Sequence, residues 1–265
     1  MTHSEKRIWL IEQLLQESQE YKNYTVPSDP SEQKDLLRAL MNVRMPQSIS
    51  EEFLIIQDEY LQEEVTKSET QDVNELKDCD KYEGIILWQG DITSLRVDAI
   101  VNAANSQMCG CFRPLHNCVD NIIHSKSGIQ LRLKCNDLMA AQRHEEPTGQ
   151  AKITPAYNLP CDYVIHTVGP IVQGELNQKY EEQLASCYRS CLTLADEQGL
   201  SSIAFCCIST GVFMFPNQRA AEIALNTVLK YRQETGSRIK VVFNVFKDED
   251  LEIYKDLLFS QKKLE

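Results

Sequence analysis

No stretch of this sequence reaches the roughly 18 consecutive apolar residues that a membrane-spanning helix needs, so a span is not expected. The N-terminus also lacks the basic patch and apolar core of an export signal, opening instead on Thr2, His3, Ser4, Glu5 and Lys6. Nothing is expected to export or anchor the chain, and a cytoplasmic location follows. A surplus of positive charge is missing as well: 27 Lys and Arg stand against 39 Asp and Glu, a net charge of −12. The deficit is uneven. Through Gly84 there are 9 basic and 19 acidic residues, and after it 18 and 20. An acidic segment joined to a nearly neutral one offers no footprint for a nucleic-acid backbone or an anionic membrane. Any phosphate must then be met mostly by backbone amides. Internal repeats and low-complexity tracts are absent too.

What is present is ample for a packed core, with 42% hydrophobic residues over 265 positions. Ten cysteines are scattered through a long chain without an export signal, which favours reduced thiols over a disulfide scaffold. Residues 1–84 read as a helical extension and linker. Ile8, Ile11, Leu14 and Leu15 recur at helical spacing after a cap at Thr2 with Glu5 three residues on. Pro27 and Pro30 break the chain, Leu36, Leu37, Leu40 and Met41 mark a second helix, and Ser48 with Glu51 predicts the cap of a third. Thr66 to Glu83 is polar and charged, as in a linker or a surface strap.

Over residues 85–265 the pattern changes to apolar strands alternating with amphipathic helices. Strands are predicted at Ile85–Trp88, Ala99–Val101, Lys152–Pro155, Tyr163–Val168, Ile203–Ile208 and Ile239–Val245. Helices are predicted at Val119–Ser125, Ile129–Ala141, Gln178–Glu197, Asn217–Arg232 and Glu249–Phe259. This alternation implies an α/β fold with a mostly parallel or mixed sheet covered on both faces. Ligands of such sheets bind beyond the carboxyl ends of the strands, which directs attention to the segments after Val101 and Ile208.

Cys109, Cys111, His116 and Cys118 crowd the first of these segments. Thiolates and imidazole are zinc's preferred ligands, and Gly110 and Pro114 let a short loop turn several side chains toward one centre. Buried thiols beside an ordinary loop histidine are the plain alternative. Four ligands including Cys109 would make a closed structural site, whereas three would keep a position open for water or substrate; spacing leaves both available. In the second segment, Ser209, Thr210, Gly211, Val212 and Phe213 form a small-residue turn between a strand and a helix, a geometry that exposes N–H groups to a pyrophosphate. Asp91 suits either an exocyclic amine or a turn cap, and Asn102 and Asn105 are placed for sugar hydroxyls. Phe246, after the last strand, is either a base-stacking ring or core. His144 and His166 have no cluster around them and read as ordinary solvent-facing or satisfied histidines, and His124 reads as packing within its helix.

Together these segments resemble a macrodomain over about Ile85 to Phe259. The resemblance rests on Gly90-Asp91-Ile92 with Val97 to Val101, on Asn102 to Asn105, on Ser209 to Phe213, and on Asp120, Ile123 and His124 at the first long helix. Where most macrodomains place a glycine run, this chain has Gly110-Cys111-Phe112-Arg113-Pro114-Leu115-His116-Asn117-Cys118. That looks like the zinc-dependent macrodomains of bacteria and fungi.

The resemblance implies a three-layer α/β/α fold with a mixed central sheet behind an N-terminal helical extension. It also implies zinc on Cys111, His116 and Cys118, with Cys109 outside the pattern. Asp91 and the Ile92 backbone would meet the adenine, Ser209, Thr210, Gly211, Val212 and Phe213 the diphosphate, and Asn105 the distal ribose. Cys118, Val119 and Asp120 would line the pocket, and Phe246 would stack near the ligand. Asp120, next to the zinc centre, is the candidate for orienting or activating a water, the alternative being a first-turn carboxylate stabilised by its helix dipole, and Asn105 is the other candidate catalytic residue. The implied activity is removal of mono-ADP-ribose from modified proteins; bacterial members accompany a sirtuin-like ADP-ribosyltransferase and act on a lipoyl-carrier protein. The rival is a reader of ADP-ribose with a structural zinc. Met214 replaces a glycine common in the family's diphosphate loop and is expected to narrow the pocket mouth. The N-terminal helices are left two roles: covering a sheet face or recognising the carrier protein.

Overall fold

The computed structural model describes residues 1–259; the last six residues of the segment assigned to 85–265 lie outside the described residues. Three helices open the chain, α1 (His3–Glu17), α2 (Pro30–Val43) and α3 (Glu51–Lys67). Thr2 and Glu5 close both arms of the expected capping box on α1. Asp29 accepts from the Ser31 and Glu32 N–H groups ahead of Pro30, which spends no donor at a helix start. The cap of α3 is Ser50, accepting from Phe53 N–H, and not the predicted Ser48. The carbonyl of Ser48 is taken instead by the Arg44 guanidinium, which holds it in the preceding loop.

These helices do not cover the sheet. Leu10, Ile11, Leu14, Leu37 and Phe53 pack among themselves and against Ile129 and Leu133 of a later helix, α5 (Ile129–Gln142). The polar stretch that follows is a strap with anchors. It includes β1 (Gln71–Asp72), parallel to β3 (Leu95–Arg96), and sinks Val73 and Cys79 into the main core.

The main sheet contains β2 (Ile85–Gln89), β4 (Ala99–Ala104), β5 (Ala151–Pro155), β6 (Tyr163–Val168), β7 (Ser202–Phe205) and β8 (Lys240–Val245), in the order β2-β8-β7-β4-β6-β5. Every pairing is parallel except β5 with β6, so the sheet is mixed. Helices α4 (Val119–Ser127) and α5 (Ile129–Gln142) connect β4 to β5. Helices α6 (Gln178–Glu197), α7 (Asn217–Thr235) and α8 (Asp248–Phe259) pack in succession, with Tyr188 of α6 on Phe205 and Tyr254 of α8 on Phe243. Phe205 and Phe243 are register partners, so these helices share one face and complete a three-layer α/β/α sandwich. β7 stops at Phe205, short of the predicted Ile208, because its pairing with β4 and β8 ends there. No described helix is long and apolar enough to cross a membrane.

Candidate active site

The parallel strands deliver five segments to one edge of the sheet: Gly90-Asp91 after β2, residues 105–118 after β4, Gly169 after β6, residues 206–216 after β7 and Phe246 after β8. β2 and β8 are tied there by Gly90 N–H on the Val245 carbonyl (3.0 Å) and Asn244 on the Gly90 carbonyl (2.9 Å).

The loop after β7 is built largely from its own backbone. The carbonyls of Ser209, Gly211 and Phe213 accept from Phe215 (3.0 Å), Met214 (3.1 Å) and Val172 (2.9 Å). The N–H groups of Thr210, Gly211, Val212 and Phe213 have no protein acceptor among the described residues, so these amides are available to an anion. Ser209 and Met214 adopt left-handed backbone, φ 66° and 60°. Left-handed backbone favours glycine, so Met214, 70% exposed, stands in a conformation that side chains rarely adopt. The Ser209 Oγ is buried without a partner. It lies against Gly169, where a Cβ would come within 2.0 Å of it, so only glycine leaves the loop this path.

Asp91 caps the 3-10 turn Ile92–Ser94, accepting from Thr93 N–H (3.0 Å) and Thr93 Oγ1 (2.6 Å) through Oδ1, while Oδ2 pairs with Lys126 at 2.6 Å. Burial opposes its ionisation, but Lys126 and Thr93 together hold the carboxyl below its ordinary range. Ile92 is buried and Phe246 is 75% exposed, so the ring is free to stack rather than part of the core. Asn105 closes a local turn, accepting from Gln107 N–H (3.0 Å) and donating to the Gly110 carbonyl (3.2 Å).

Asn102 is turned inward, not toward a sugar. It is fully buried; its Nδ2 donates to Asp120 Oδ1 (2.8 Å) and lies 3.1 Å from His166 Nδ1. Asp120, in the first turn of α4 next to Val119, is buried, and burial pushes its carboxyl up to about 6 against the lowering effects of Asn102 and Arg132. His166 is satisfied on both ring nitrogens, one of the two readings the sequence left, but it does not stand without a cluster. It forms a buried cluster with His124 and Cys135, invisible in sequence because the three come from β6, α4 and α5. His166 already engages both ring nitrogens, Nδ1 with Asn102 and Nε2 with Thr154 (2.9 Å), so the cluster reads as a polar network under the site. Burial lowers His166 to about 3 and also lowers His124, keeping both neutral.

Cys111, His116 and Cys118 do converge: one donor atom from each lies within 4.8 Å of the others, with Cys111 Sγ 3.5 Å from His116 Nδ1. Cys109 does not belong to this group. Cys118 is the N-cap of α4, its sulfur accepting from Asn121 N–H at 3.4 Å. Burial pushes its thiol up to about 12, with Cys111 adding to the rise. Two thiols and an imidazole in this setting fit a soft divalent cation, whose charge would stabilise the thiolates.

The Macro domain family profile matches residues 101–224. A protein-ADP-ribose hydrolase of Treponema medium is 54% identical over 97% of this chain and 100% of its own length. The chain belongs to the macro domain family. A protein-ADP-ribose hydrolase of Staphylococcus aureus (strain MRSA252) is 48% identical over 94% of this chain and 93% of its own. Among solved structures, the Trypanosoma brucei macrodomain in complex with ADP-ribose superposes with a TM-score of 0.64 at 29% identity, covering 87% of this chain and 96% of that one. The five segments meet at the carboxyl edge of the strands, where ligands of open α/β sheets bind. Sequence reading missed Lys126, Arg132 and Gly169 there; only the glycine, followed by Pro170 after a strand, carried a local signal.

Proposed function

We propose that this macro domain is a hydrolase that releases mono-ADP-ribose from a modified protein with a zinc ion held by Cys111, His116 and Cys118. The enzyme class rests on relatives named protein-ADP-ribose hydrolase that match nearly the whole chain. The zinc step rests on one observation, the convergence of two thiols and an imidazole beside Asp120 at the end of β4. Three protein ligands, with Cys109 apart, leave a coordination position open, as catalytic sites do.

The free amides of Thr210 to Phe213 take the diphosphate, the Asp91 carboxylate and Ile92 backbone take the adenine, and Phe246 stacks on it. Lys126 shares Asp91 and must yield or swing when the adenine amine arrives. Asn105, its side chain fixed by Gln107 and Gly110, orients the distal ribose between this pocket and the thiols. When bound, zinc supplies Lewis-acid polarisation to the distal ribose or an attacking water. Asn102 and His124 both lie at Asp120 Oδ1, which leaves Oδ2 to orient that water and accept its proton. A lipoyl-carrier protein is the proposed substrate.

Incubating the full chain with a mono-ADP-ribosylated lipoyl-carrier protein, with and without a chelator, tests the reading. Release of ADP-ribose that the chelator abolishes and zinc restores is expected. Release indifferent to the chelator removes zinc from the mechanism, and tight binding without release makes the protein a reader.

A further inference from the structure

We infer that α2 of the N-terminal extension is a positioning element of the metal loop, acting through Arg38 and Asn42. The inference deepens the zinc reading and rests on it. Residues 109–118 contain no helix or strand, and beyond the internal turn from His116 N–H to the Arg113 carbonyl (3.3 Å) several of their backbone groups are met by side chains from outside the loop. Asn42 is buried, and its Oδ1 accepts the Leu115 N–H at 3.0 Å. Leu115 has φ 55°, a left-handed backbone that a leucine adopts only under constraint, and it immediately precedes the ligand His116. One helical turn earlier on the same face, Arg38 donates Nη2 to the His116 carbonyl (2.9 Å) and to Asn121 Oδ1 (2.8 Å). Asn121 passes the restraint on, donating Nδ2 to the Arg113 carbonyl (2.9 Å) and its backbone N–H to the Cys118 sulfur. Two side chains of α2 thus reach both sides of His116 and, through Asn121, the thiol of Cys118.

The connection also runs back. Arg132 of α5 donates Nη1 to the Met41 and Asn42 carbonyls at the end of α2 (2.9 and 2.8 Å) and Nε to the Cys109 carbonyl at the start of the loop (2.8 Å). One guanidinium therefore fixes the distance between α2 and the metal loop. Its plane lies over the Phe112 ring, 4.3 Å from the centroid, pinning the middle of the loop as well. Outer supports of this kind orient metal ligands, and their loss typically weakens metal affinity by about 10–100-fold.

The test compares Arg38→Ala and Asn42→Ala with Gln33→Ala, a change on the same helix but away from the loop, which removes two hydrogen bonds donated by Arg7 of α1. In the full-length protein, zinc affinity by chelator competition should fall about 10–100-fold in the first two and stay unchanged in Gln33→Ala. Arg38→Lys, which keeps the charge but loses the planar fork, should lie between and serves if either alanine variant does not fold. Hydrogen exchange across 109–118 in metal-stripped protein should accelerate in the same two variants only. Unchanged exchange and affinity would overturn the inference, as would equal weakening by Gln33→Ala. If the wild type takes up no zinc, the zinc reading fails and the exchange experiment alone decides the role of α2.

Discussion

Two loops at the same sheet edge are held by opposite means. Residues 209–216 are fixed chiefly by backbone bonds: the Ser209 and Gly211 carbonyls accept within the loop and that of Phe213 from Val172 after β6, two residues take left-handed conformations, and four amides have no protein acceptor among the described residues. Residues 109–118 are fixed by side chains arriving from α2, α4 and α5. A loop that must present backbone amides to an anion gains from a conformation that its own residues dictate. A loop that must aim three side chains at one point needs external restraint, because its backbone groups otherwise wander with solvent. Held by separate bonds, the two loops should answer separately to mutation.

The largest effect should come from the metal loop. His116→Ala is expected to lower hydrolysis by about 1,000-fold, the several kcal/mol that a metal supplies to charge development, while leaving ADP-ribose affinity intact by calorimetry. Loss of ADP-ribose binding as well would break the claim that the loops are independent. The converse variant is Gly169→Ala, whose Cβ would displace Ser209. A loss of about tenfold in ADP-ribose affinity, about 1.4 kcal/mol, is expected with zinc content unchanged by metal analysis. The smallest effect concerns the link between the adenine end and α4. Because the Asp91 carboxyl is held below its ordinary value, its pairing stabilises the fold fully above about pH 4 and loses that contribution as pH falls through the lowered value. Lys126→Ala should therefore lower Tm at neutral pH, by no more than about 1 kcal/mol of stability, and the difference from wild type should vanish in thermal scans carried into acid.

Much of this was legible locally. Helix caps, the apolar runs of the parallel strands and the small-residue turn after β7 each depend on neighbours a few residues apart. The sequence could therefore announce them, and the bounds of α6 and β6 coincide with the predicted ones. The ligand-type residues of the metal loop were visible for the same reason, crowded into one short segment. Where the local reading failed, another bond had already claimed the group: Arg44, four residues away, took the Ser48 carbonyl, and over longer range Asp120 with His166 drew Asn102 into the core.

The sequence by itself determined which elements form and which residues stand at the strand ends, since periodicity and capping are contacts along the chain. Only the tertiary structure decided strand order, the inward turn of Asn102 and the clustering of His124, Cys135 and His166. It alone also decided that the extension reaches the metal loop. Asn42 and Leu115 lie 73 positions apart, and Arg132 and Met41 lie 91 apart. Hydrogen bonds over such separations leave no periodic trace, because they exist only once the helices have packed.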